Sequence, residues 1–465
     1  MYNRVSERIR RQLEEIVGAG CVIGDPERLE PYSHDHVVGL QADPEVVVYA
    51  MTAEQVSRIL SLAQAERIPV TPRTAGYGLS GGATPVNGGI VLSLEKMNQI
   101  IEIDRENLMV TVEPGVITGD LHRAVEAEGL FYPPDPASLD SCMIGGNIAE
   151  GAGGPRAVKY GTTEDYVCGL EVVLPTGEIV SMGGKLVKNV TGYNLVQLMV
   201  GSEGTLGVVT RVILRLLPLP KYRVDLLAPF GNFLDAAAAV ADITAARIVP
   251  ATIEFMEQDS LRAVERLLGR ELPYREAAAQ LLIQLDGNSQ AALDEEFELV
   301  GEVCMRHGAQ DLLVANKTSD RDRLWEARRM IIEALNHESP INHMEDVVVP
   351  RSEIARMLAE VRTIAEKHGV RIICFGHAGD GNVHVNALKD DLPQERWEGL
   401  VPVITEEIYR AAFGLGGALT GEHGIGYTRR QYLPMALDEA QIRIMRGIKQ
   451  TFDPHGILNP GKIFP

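Results

Sequence analysis

Apolar residues in the first half of the chain follow two different spacings, and each spacing predicts one kind of element. Their three-to-four spacing predicts a helix over 54–65, and the stretch 7–17 is also helix-like. Short apolar runs bounded by turn residues predict strands at 90–94, 100–103 and 108–112. The turn signal Pro175-Thr176-Gly177 joins two further runs, 171–174 and 178–181. The first half is therefore predicted to mix short strands, hairpins and helices.

The pattern changes after Leu217-Pro218-Leu219-Pro220, where strand-like and helix-like stretches begin to alternate. Strands are predicted at 223–227, 252–255, 280–285 and 311–315. Helices are predicted at 233–246, 259–268, 290–307 and 319–336. This order indicates an antiparallel sheet covered by helices, so the chain as a whole is of the α+β class. We expect a first domain over 1–219, a second over 220–420, and a C-terminal segment, 421–465, that returns to the first.

Charge and composition narrow the classes of function. The 465 residues include 64 acidic and 44 basic ones, which gives a net charge of −20. Such a surface repels nucleic acid and anionic membranes, so we exclude both as main partners. No apolar run reaches the length of a membrane span, and the N-terminus shows no signal-peptide pattern. The five cysteines form no C-x-x-C pair, and a cytoplasmic protein without disulfides or iron–sulfur clusters is expected.

A hairpin that carries two histidines is predicted at 375–386. Asp380-Gly381 is a strong turn signal, because both residues of a tight two-residue turn must accept positive φ. Such a turn would place His377 directly opposite His384, with Cβ atoms about 4.5–5.5 Å apart on one face. Two imidazoles at this distance can bind one metal ion, and Glu422 in Gly421-Glu422-His423-Gly424 would add a carboxylate. A His/His/Glu set suits zinc, iron or manganese.

A glycine-rich loop, Gly76-Tyr77-Gly78-Leu79-Ser80-Gly81, matches the G-x-G-x-x-G pattern of nucleotide-binding proteins. In a Rossmann fold a helix would begin inside this motif, but 82–89 is rich in glycine and contains a proline, which excludes a helix. No strand followed by an acidic residue comes at the expected distance either. We therefore reject a classical NAD site. Two interpretations remain: the bare backbone N–H groups bind an anion, or the loop is a turn that binds nothing.

Further motifs favour the first interpretation. They are Tyr132-Pro133-Pro134-Asp135-Pro136, Gly145-Gly146-Asn147, Lys159-Tyr160-Gly161, the glycine-rich run 201–207, and Asn459-Pro460-Gly461-Lys462. With this set the chain resembles FAD-linked oxidoreductases of the vanillyl-alcohol oxidase/p-cresol methylhydroxylase superfamily, over residues 45–464. It is most similar to the branch of glycolate oxidase flavoprotein subunits, D-lactate dehydrogenases and D-2-hydroxyglutarate dehydrogenases. The resemblance implies a two-part FAD-binding domain and a substrate (cap) domain built on a helix-covered antiparallel sheet.

The resemblance also implies which residues bind FAD. Those that would wrap the pyrophosphate are Pro72, Arg73, Thr74, Ala75, Gly76, Tyr77, Gly78, Leu79, Ser80 and Gly82. Those that would line the flavin are Pro134, Asp135, Ser138, Gly145, Gly146, Asn147, Ala149, Gly154, Tyr160, Gly161, Val209 and Asn459. The family usually has Gly-Gly-Gly-Thr where this chain has Thr74-Ala75-Gly76-Tyr77. Some relatives carry a covalently bound histidine near Tyr77, and its absence here predicts non-covalent FAD.

By the same resemblance, His377, His384 and Glu422 bind one divalent metal ion, and His423 is the catalytic base. The metal would polarise the hydroxyl of a 2-hydroxy acid, His423 would remove its proton, and hydride would pass to flavin N5. Asn386 lies on the same strand face as His384, by the two-residue period, and can point to the substrate. Arg328 holds the place of a carboxylate-binding arginine, although its pattern also fits a solvent-facing helix arginine.

The substrate and the electron acceptor are less strongly specified. Relatives that act on hydroxyglutarate carry a threonine and a lysine where this chain has Ile332 and Met344, so a second carboxylate would lack a cation. A short monocarboxylate, D-lactate or glycolate, is therefore favoured. Electrons would pass to a separate protein, an electron-transferring flavoprotein or an iron–sulfur subunit, and a homodimer and a hetero-complex both fit. The alternatives are a D-2-hydroxyglutarate dehydrogenase, a metal-dependent hydrolase or oxygenase, and a flavin-binding electron relay.

Overall fold

The structure, a computed structural model, describes residues 2–315 and 317–465. The chain divides into two compact units. The first unit contains the chain up to Gly153, then Thr162–Leu219 and Glu422–Pro465. The second unit contains Gly154–Gly161 and Pro220–Gly421, so it takes a short early segment that the expected domain boundaries did not include.

Three sheets make up the β-structure of the first unit. Their strands are β1 (Val22–Ile23), β2 (Val46–Tyr49), β3 (Val70–Arg73), β4 (Ile90–Ser93), β5 (Ile100–Asp104), β6 (Met109–Val112), β7 (Leu130–Phe131), β8 (Val167–Val173), β9 (Ile179–Gly183), β10 (Val208–Arg215) and β11 (Leu217–Pro218). One sheet has the order β1-β2-β4-β3, with β2, β4 and β3 parallel. A five-stranded antiparallel sheet has the order β5-β6-β10-β8-β9, and β7 pairs with β11.

Helices accompany these sheets. They are α1 (Glu7–Val17), α2 (Pro26–Leu29), α3 (Ala53–Glu66), α4 (Thr118–Glu126), α5 (Ile144–Glu150) and α7 (Leu195–Met199), while α6 (Ala157–Tyr160) lies in the second unit. Thr52 begins α3, because its hydroxyl accepts a hydrogen bond from Gln55 N–H. The helix ends at Arg67, which has a φ of +52°. The predicted apolar face of this helix is buried against β2 and β4 in one core.

The second unit is built on one seven-stranded sheet. Its strands are β12 (Tyr222–Phe230), β13 (Thr252–Glu257), β14 (Ala279–Gly287), β15 (Leu313–Val314), β16 (Asn342–Val348), β17 (Arg371–His377) and β18 (Asn382–Leu388). The order is β15-β12-β14-β13-β17-β18-β16, and neighbouring strands are antiparallel. The predicted antiparallel sheet is therefore confirmed.

Helices cover this sheet. They are α8 (Phe233–Ala245), α9 (Gln258–Leu268), α10 (Gln290–Arg306), α11 (Thr318–Arg329), α12 (Ile331–Glu338), α13 (Ile354–His368) and α14 (Gln394–Gly414). The prediction of one helix over 319–336 is wrong, because the chain breaks at Met330 between α11 and α12. The break lets both helices bury apolar residues, such as Leu324 and Leu335, in one cluster with β12 and β17.

The C-terminal segment adds α15 (Leu433–Ala436) and α16 (Glu439–Phe452) to the first unit. After α16 the chain pairs with β3, where Asn459 N–H donates to the carbonyl of Val70. This contact brings the last residues to the strand that leads into the glycine-rich loop. Within residues 2–315 and 317–465, no helix is both long and apolar enough to cross a membrane.

Candidate active site

The two histidines of the second unit lie on the predicted hairpin, but the predicted register is wrong. His384 pairs with Phe375, and His377 pairs with Asn382, because the loop between the strands has four residues, 378–381. A two-residue turn would need positive φ at both Asp380 and Gly381, and only Gly381 has it, at +92°. The two imidazoles are therefore diagonal neighbours on one face, with ring centroids 5.3 Å apart.

A buried carboxylate, Glu254 on β13, holds two of the predicted site residues. Its Oε1 lies 2.8 Å from His377 Nδ1, and its Oε2 lies 2.7 Å from Arg328 Nε. The second contact is an ion pair rather than an aligned hydrogen bond. Arg328 is only 5% exposed and lies over the ring of Phe375, at 5.0 Å. The interpretation of Arg328 as a solvent-facing arginine is therefore wrong.

The charge state of Glu254 follows from these partners. Burial raises the pKa of this carboxyl, but His377 and Arg328 outweigh burial and lower the pKa below its ordinary value. A carboxylate can only accept hydrogen bonds, so Nδ1 of His377 carries the proton in this contact. Nε2 of His377 is then the nitrogen that can bind a metal ion or accept a proton.

A second buried carboxylate, Asp346 on β16, lies next to His384. Its Oδ1 is 3.4 Å from His384 Nδ1 and accepts a hydrogen bond from Asn382 Nδ2, at 2.6 Å. Its Oδ2 accepts from the hydroxyl of Thr420, at 2.8 Å, and from the N–H of Gly421, at 3.1 Å. Asp346 and His384 offer ligand atoms of the types that bind metal ions. Asp346 also fixes the end of the second unit, immediately before Glu422.

Asn386 and Met344 pair with each other across β18 and β16, on the face that carries His384 and Asp346. Asn386 is 3% exposed, and its Nδ2 is 3.4 Å from the carbonyl of Ile373. The predicted position of Asn386 on the face of His384 is confirmed by the strand register. Met344 brings no cation to this face.

The glycine-rich loop of the first unit contains no helix, in agreement with the rejection of a Rossmann site. Among the described residues, no hydrogen bond uses a backbone N–H group of residues 74–82. Successive backbone amides that have no acceptor among the described residues are available to donate to phosphate groups. This observation fits the pyrophosphate of a dinucleotide cofactor.

Arg73, the last residue of β3, supports the glycine-rich loop. Its guanidinium donates to the carbonyls of His34 and Pro31, at 2.7 and 3.0 Å. Burial lowers the pKa of Arg73. Gly76 curls over this guanidinium with a φ of +76°, and a Cβ atom there would lie 2.2 Å from Arg73 Nη2. The loop therefore requires glycine at this position.

Two C-terminal side chains, Asn459 and Lys462, hold the far end of the loop. Asn459 Nδ2 donates to the carbonyl of Gly82, at 3.0 Å, and to that of Glu203, at 2.8 Å. Lys462 Nζ donates to the carbonyls of Thr84, at 2.6 Å, and Gly82, at 3.3 Å. Burial lowers the pKa of Lys462 to about 8, although the nearby carboxyls of Asp35, Glu203 and Glu150 oppose this shift. A buried ammonium beside the loop suits an anionic ligand.

Helix α5 packs closely on the other side of the loop. A Cβ atom at Gly145 would lie 3.1 Å from Thr74 Cγ2, and one at Gly146 would lie 3.2 Å from Thr74 Oγ1. Asn147 is buried and donates to the hydroxyl of Thr118, at 2.7 Å. These glycines are needed for the close approach of α5 to the loop, whatever else they contact. Their own N–H groups donate to Pro114 and Met143.

The remaining predicted cofactor residues of the first unit lie around these elements. Pro134, Asp135 and Ser138 belong to the segment between β7 and α5, where the Pro134 carbonyl contacts His122 Nε2 at 2.9 Å. Ala149 is on α5, and Val209 is on β10. Pro72 is on β3, and Ala75, Tyr77, Gly78, Leu79 and Ser80 belong to the loop itself.

Three predicted cofactor residues, Gly154, Tyr160 and Gly161, lie in the second unit. The hydroxyl of Tyr160 donates to Asp286, at 2.8 Å, and Lys159 Nζ is 2.5 Å from the same carboxylate. These contacts attach the segment 154–161 to β14. They give Tyr160 a structural role that the sequence did not predict.

Glu203, in the run 201–207, holds the segment that follows His423. Its two carboxylate oxygens accept hydrogen bonds from the N–H groups of Ile425 and Gly426, at 2.8 and 2.6 Å. Its own N–H donates to the carbonyl of Ala149, at 2.7 Å. His423 Nε2 is 3.8 Å from Glu422 Oε1, and both residues offer ligand atoms of types that bind metal ions. Glu203 thus links α5 to the segment that follows the predicted base.

A second carboxyl, Glu150, lies close to Glu203. A Cβ atom at Gly424 would lie 2.3 Å from Glu150 Oε2 and 3.1 Å from Glu203 Oε1, so only glycine fits between the two. Burial raises the pKa of both carboxyls, and Glu203 raises that of Glu150 further. The pair therefore favours a protonated carboxyl near the loop.

Several functional candidates were missed in the sequence. Glu254, Asp346 and Glu203 stand in ordinary strand or glycine-rich contexts, and their partners are far away along the chain. Asp346 had a local signal, since it lies next to buried apolar residues in a strand, and a charge there needs a partner. Glu254 had the same signal on β13.

Comparison with known proteins identifies both parts of the chain. Residues 44–183 match the model of the FAD binding domain. Residues 219–463 match the model of the C-terminal domain of FAD linked oxidases.

Individual relatives match along nearly the whole length. The glycolate oxidase subunit GlcD of Bacillus subtilis strain 168 is 46% identical over 99% of this chain and 97% of its own. The D-lactate dehydrogenase of Anaerostipes hadrus is 40% identical over 99% of this chain and 98% of its own. Among solved structures, p-cresol methylhydroxylase with bound substrate superposes with a TM-score of 0.80 at 19% identity, over 98% of this chain and 96% of its own. The last comparison confirms the expected fold.

Proposed function

Since this chain belongs to the family of FAD-linked oxidases, we propose that it oxidises a short D-2-hydroxy acid, D-lactate or glycolate, to the 2-oxo acid. One observation supports the proposal: one sheet face of the second unit presents His377 and His384 beside the buried carboxylates of Glu254 and Asp346, and Arg328 of α11 forms an ion pair with Glu254. A cation and imidazoles are the groups needed to bind a carboxylate and to handle a hydroxyl proton. Relatives that match over 97% or more of their own lengths are a glycolate oxidase subunit and a D-lactate dehydrogenase.

FAD is the proposed cofactor, bound without a covalent link. The N–H groups of residues 74–82 hold its pyrophosphate, since they have no acceptor among the described residues. Asn459 and Lys462 support that loop from the C-terminal segment. When bound, FAD supplies the acceptor for the hydride that leaves the substrate.

A divalent metal ion is the second proposed cofactor. His377, His384 and Glu422 are the proposed ligands, and Asp346 is an additional carboxylate beside His384. Glu254 supports the role of His377, because its contact with Nδ1 leaves Nε2 as the ligand atom. Glu422 follows Gly421 directly, and Gly421 is held by Asp346, which keeps the peptide before Glu422 near His384. When bound, the ion lowers the pKa of the substrate hydroxyl.

His423 is the proposed base. Glu203 holds the N–H groups two and three residues after it, which limits the motion of this loop. Arg328 binds the substrate carboxylate, and Asn386 lies on the same strand face as His384. Glu254 already balances the charge at Arg328 Nε, so the other N–H groups of the guanidinium are the ones offered to substrate.

The size of the substrate follows from the charges on this sheet face. Met344, opposite Asn386, brings no cation, and the free N–H groups of Arg328 are already assigned to the first carboxylate of the substrate. A second carboxylate would be buried there without a partner, at a cost of several kcal/mol. The lack of a second cation favours D-lactate or glycolate over D-2-hydroxyglutarate as the substrate.

Electrons then leave to another protein. We expect an electron-transferring flavoprotein or an iron–sulfur subunit as the acceptor. The name of the Bacillus subtilis relative, a glycolate oxidase subunit, supports a complex with other subunits.

A substrate series with an artificial electron acceptor tests the proposal. We expect kcat/KM to be higher for D-lactate or glycolate than for D-2-hydroxyglutarate. Met344→Lys should raise the relative kcat/KM for D-2-hydroxyglutarate by about tenfold or more, because it adds a cation to the sheet face. Met305→Lys, at a methionine that is 51% exposed on α10, is the control. A wild-type preference for D-2-hydroxyglutarate would overturn the choice of substrate.

A further inference from the structure

A cavity of about 570 Å³ lies in the second unit, on the sheet face that also carries Glu254 and His377. Packed protein cores contain few voids larger than a water molecule. The volume falls instead in the range of about 300–1,000 Å³ that is typical of ligand sites. A cavity of this size on a buried sheet face therefore needs an explanation.

Two layers form its walls. Leu227, Met256 and Leu313 come from β12, β13 and β15, on the face of the sheet that α9 and α11 cover. Leu324 and Ala327 of α11 form the opposite wall. These residues are also members or neighbours of one apolar cluster. A cavity with such walls accepts an aliphatic or small aromatic body and excludes ions.

The mouth of the cavity is held in a fixed shape. Gln280 of β14 donates from Nε2 to the carbonyls of Pro273 and Tyr274, at 2.8 and 3.2 Å. The segment that contains Pro273 also contributes Arg270, Glu271 and Leu272 to the lining. The cavity therefore has a built rim of polar residues over an apolar interior.

Some charged residues of this rim have ion-pair partners, and others do not. Arg270 is paired with Glu326, and Glu271 with Arg275. Asp320 lies in the first turn of α11, where the helix N-terminus stabilises a negative charge. The side chain of Arg323, one turn later, has no hydrogen bond or ion pair with any other described residue. Among the described residues that line the mouth, Arg323 is therefore a cation whose side chain has no protein partner.

We propose that this cavity is a binding site for a medium-length aliphatic carboxylate, with its chain between the sheet and α11 and its carboxylate on Arg323. A guanidinium matches a carboxylate in both charge and geometry. Arg328, His377 and His384 are not among the residues that line this cavity, and its proposed ligand is not the substrate. Because α11 also carries Arg328, a ligand in the cavity contacts the helix that positions the proposed substrate-binding arginine.

Calorimetric titration of the purified FAD-loaded protein with octanoate, octanol and octylamine tests the proposal. Octanoate should bind at one saturable site and more tightly than octylamine. Arg323→Gln should weaken octanoate binding by about tenfold and leave octanol within about twofold. Arg329→Gln, the same change at an exposed arginine of the same helix, should have no effect.

Two variants that fill the cavity complete the test. Ala327→Phe from the helix side and Leu313→Phe from the sheet side should each abolish binding of both octanoate and octanol. Two variants are used because either one could fail to fold, and melting curves identify which of them is folded. Octanoate binding that survives in a folded filling variant would overturn the site. Displacement of octanoate by D-lactate, or tighter binding of octylamine, would also overturn the proposal.

Discussion

Replacement of Glu254 by glutamine removes the charge that holds His377 and Arg328 in the second unit. Glu254 is fully buried, and its two oxygens face a histidine nitrogen at 2.8 Å and a guanidinium nitrogen at 2.7 Å. A glutamine of the same shape keeps one oxygen acceptor and presents an NH₂ group to the other partner. Arg328, 5% exposed, would then be a buried cation without a counter-ion.

The size of the effect follows from that unpaired charge. Breaking a buried ion pair by removing one partner costs about 3–5 kcal/mol. For a unit of this size, each kcal/mol lowers the melting temperature by roughly 2–4 °C, so a decrease of about 10 °C is expected. Loss of the carboxylate behind a metal-binding histidine lowers metal affinity by about 10–100-fold. We therefore expect Glu254→Gln to weaken both folding and metal binding.

Thermal unfolding and equilibrium dialysis against zinc or manganese measure the two effects. The difference in melting temperature between the wild type and Glu254→Gln should narrow as the pH falls through the pKa of Glu254. That pKa is below its ordinary value of 4.5. Glu257→Gln is the matched control, because Glu257 is on the same strand but the opposite face, where it accepts from Cys374 N–H. The reasoning is refuted if Glu254→Gln leaves metal affinity unchanged, or if Glu257→Gln lowers it equally.

Three further changes test other parts of the account. His423→Asn should slow flavin reduction by about 10²–10⁴-fold while FAD stays bound, whereas His455→Asn, at an exposed histidine of the same unit, should reduce at the wild-type rate. Lys462→Met should remove a pH dependence of the free energy of unfolding of the apoprotein. The folded-state pKa of Lys462 is about 8 against an ordinary 10.5, so wild-type apoprotein should gain on the order of 3 kcal/mol over the variant as pH rises from 8 to 10.5. If the free energies of unfolding in urea of the wild type and Lys462→Met differ by the same amount at every pH in that range, the lowered pKa of Lys462 is contradicted. Gly381→Ala should destabilise the protein by at least about 2 kcal/mol, because φ is +92° and a Cβ atom would lie 2.0 Å from the carbonyl oxygen of Val349. Gly399→Ala, in open space on α14, should be neutral or stabilising, and equal melting temperatures for the two variants would contradict the strain at Gly381.

Much of the fold could be predicted because local patterns decided it. The three-to-four spacing placed α3, and alternating strands and helices predicted the antiparallel sheet of the second unit. The break at Met330 was not predictable, since neither proline nor glycine marks it and the packing of both helices in one cluster decides it. The hairpin register failed for a related reason. Asp380 does not adopt positive φ, and its carboxylate instead accepts from Asn382 N–H in a longer loop.

The candidate site was predictable only in part. Motifs with short spacing, such as the glycine-rich loop and the presence of a hairpin at 375–386, could be identified from the sequence, although the register of the hairpin could not. The carboxylates that position those groups could not, because each acts over a long separation. Glu254 lies 123 residues from His377, and Glu203 lies 222 residues from Ile425. A single sequence contains no information on which distant carboxylate meets which histidine.

Anaerobic absorption spectroscopy tests the central claim most directly. The purified protein with its FAD is mixed with D-lactate, glycolate, L-lactate and D-2-hydroxyglutarate in separate samples. We expect D-lactate or glycolate to bleach the visible flavin band, and L-lactate and D-2-hydroxyglutarate to bleach it far more slowly. A flavin band that dithionite bleaches but no hydroxy acid does would contradict the account.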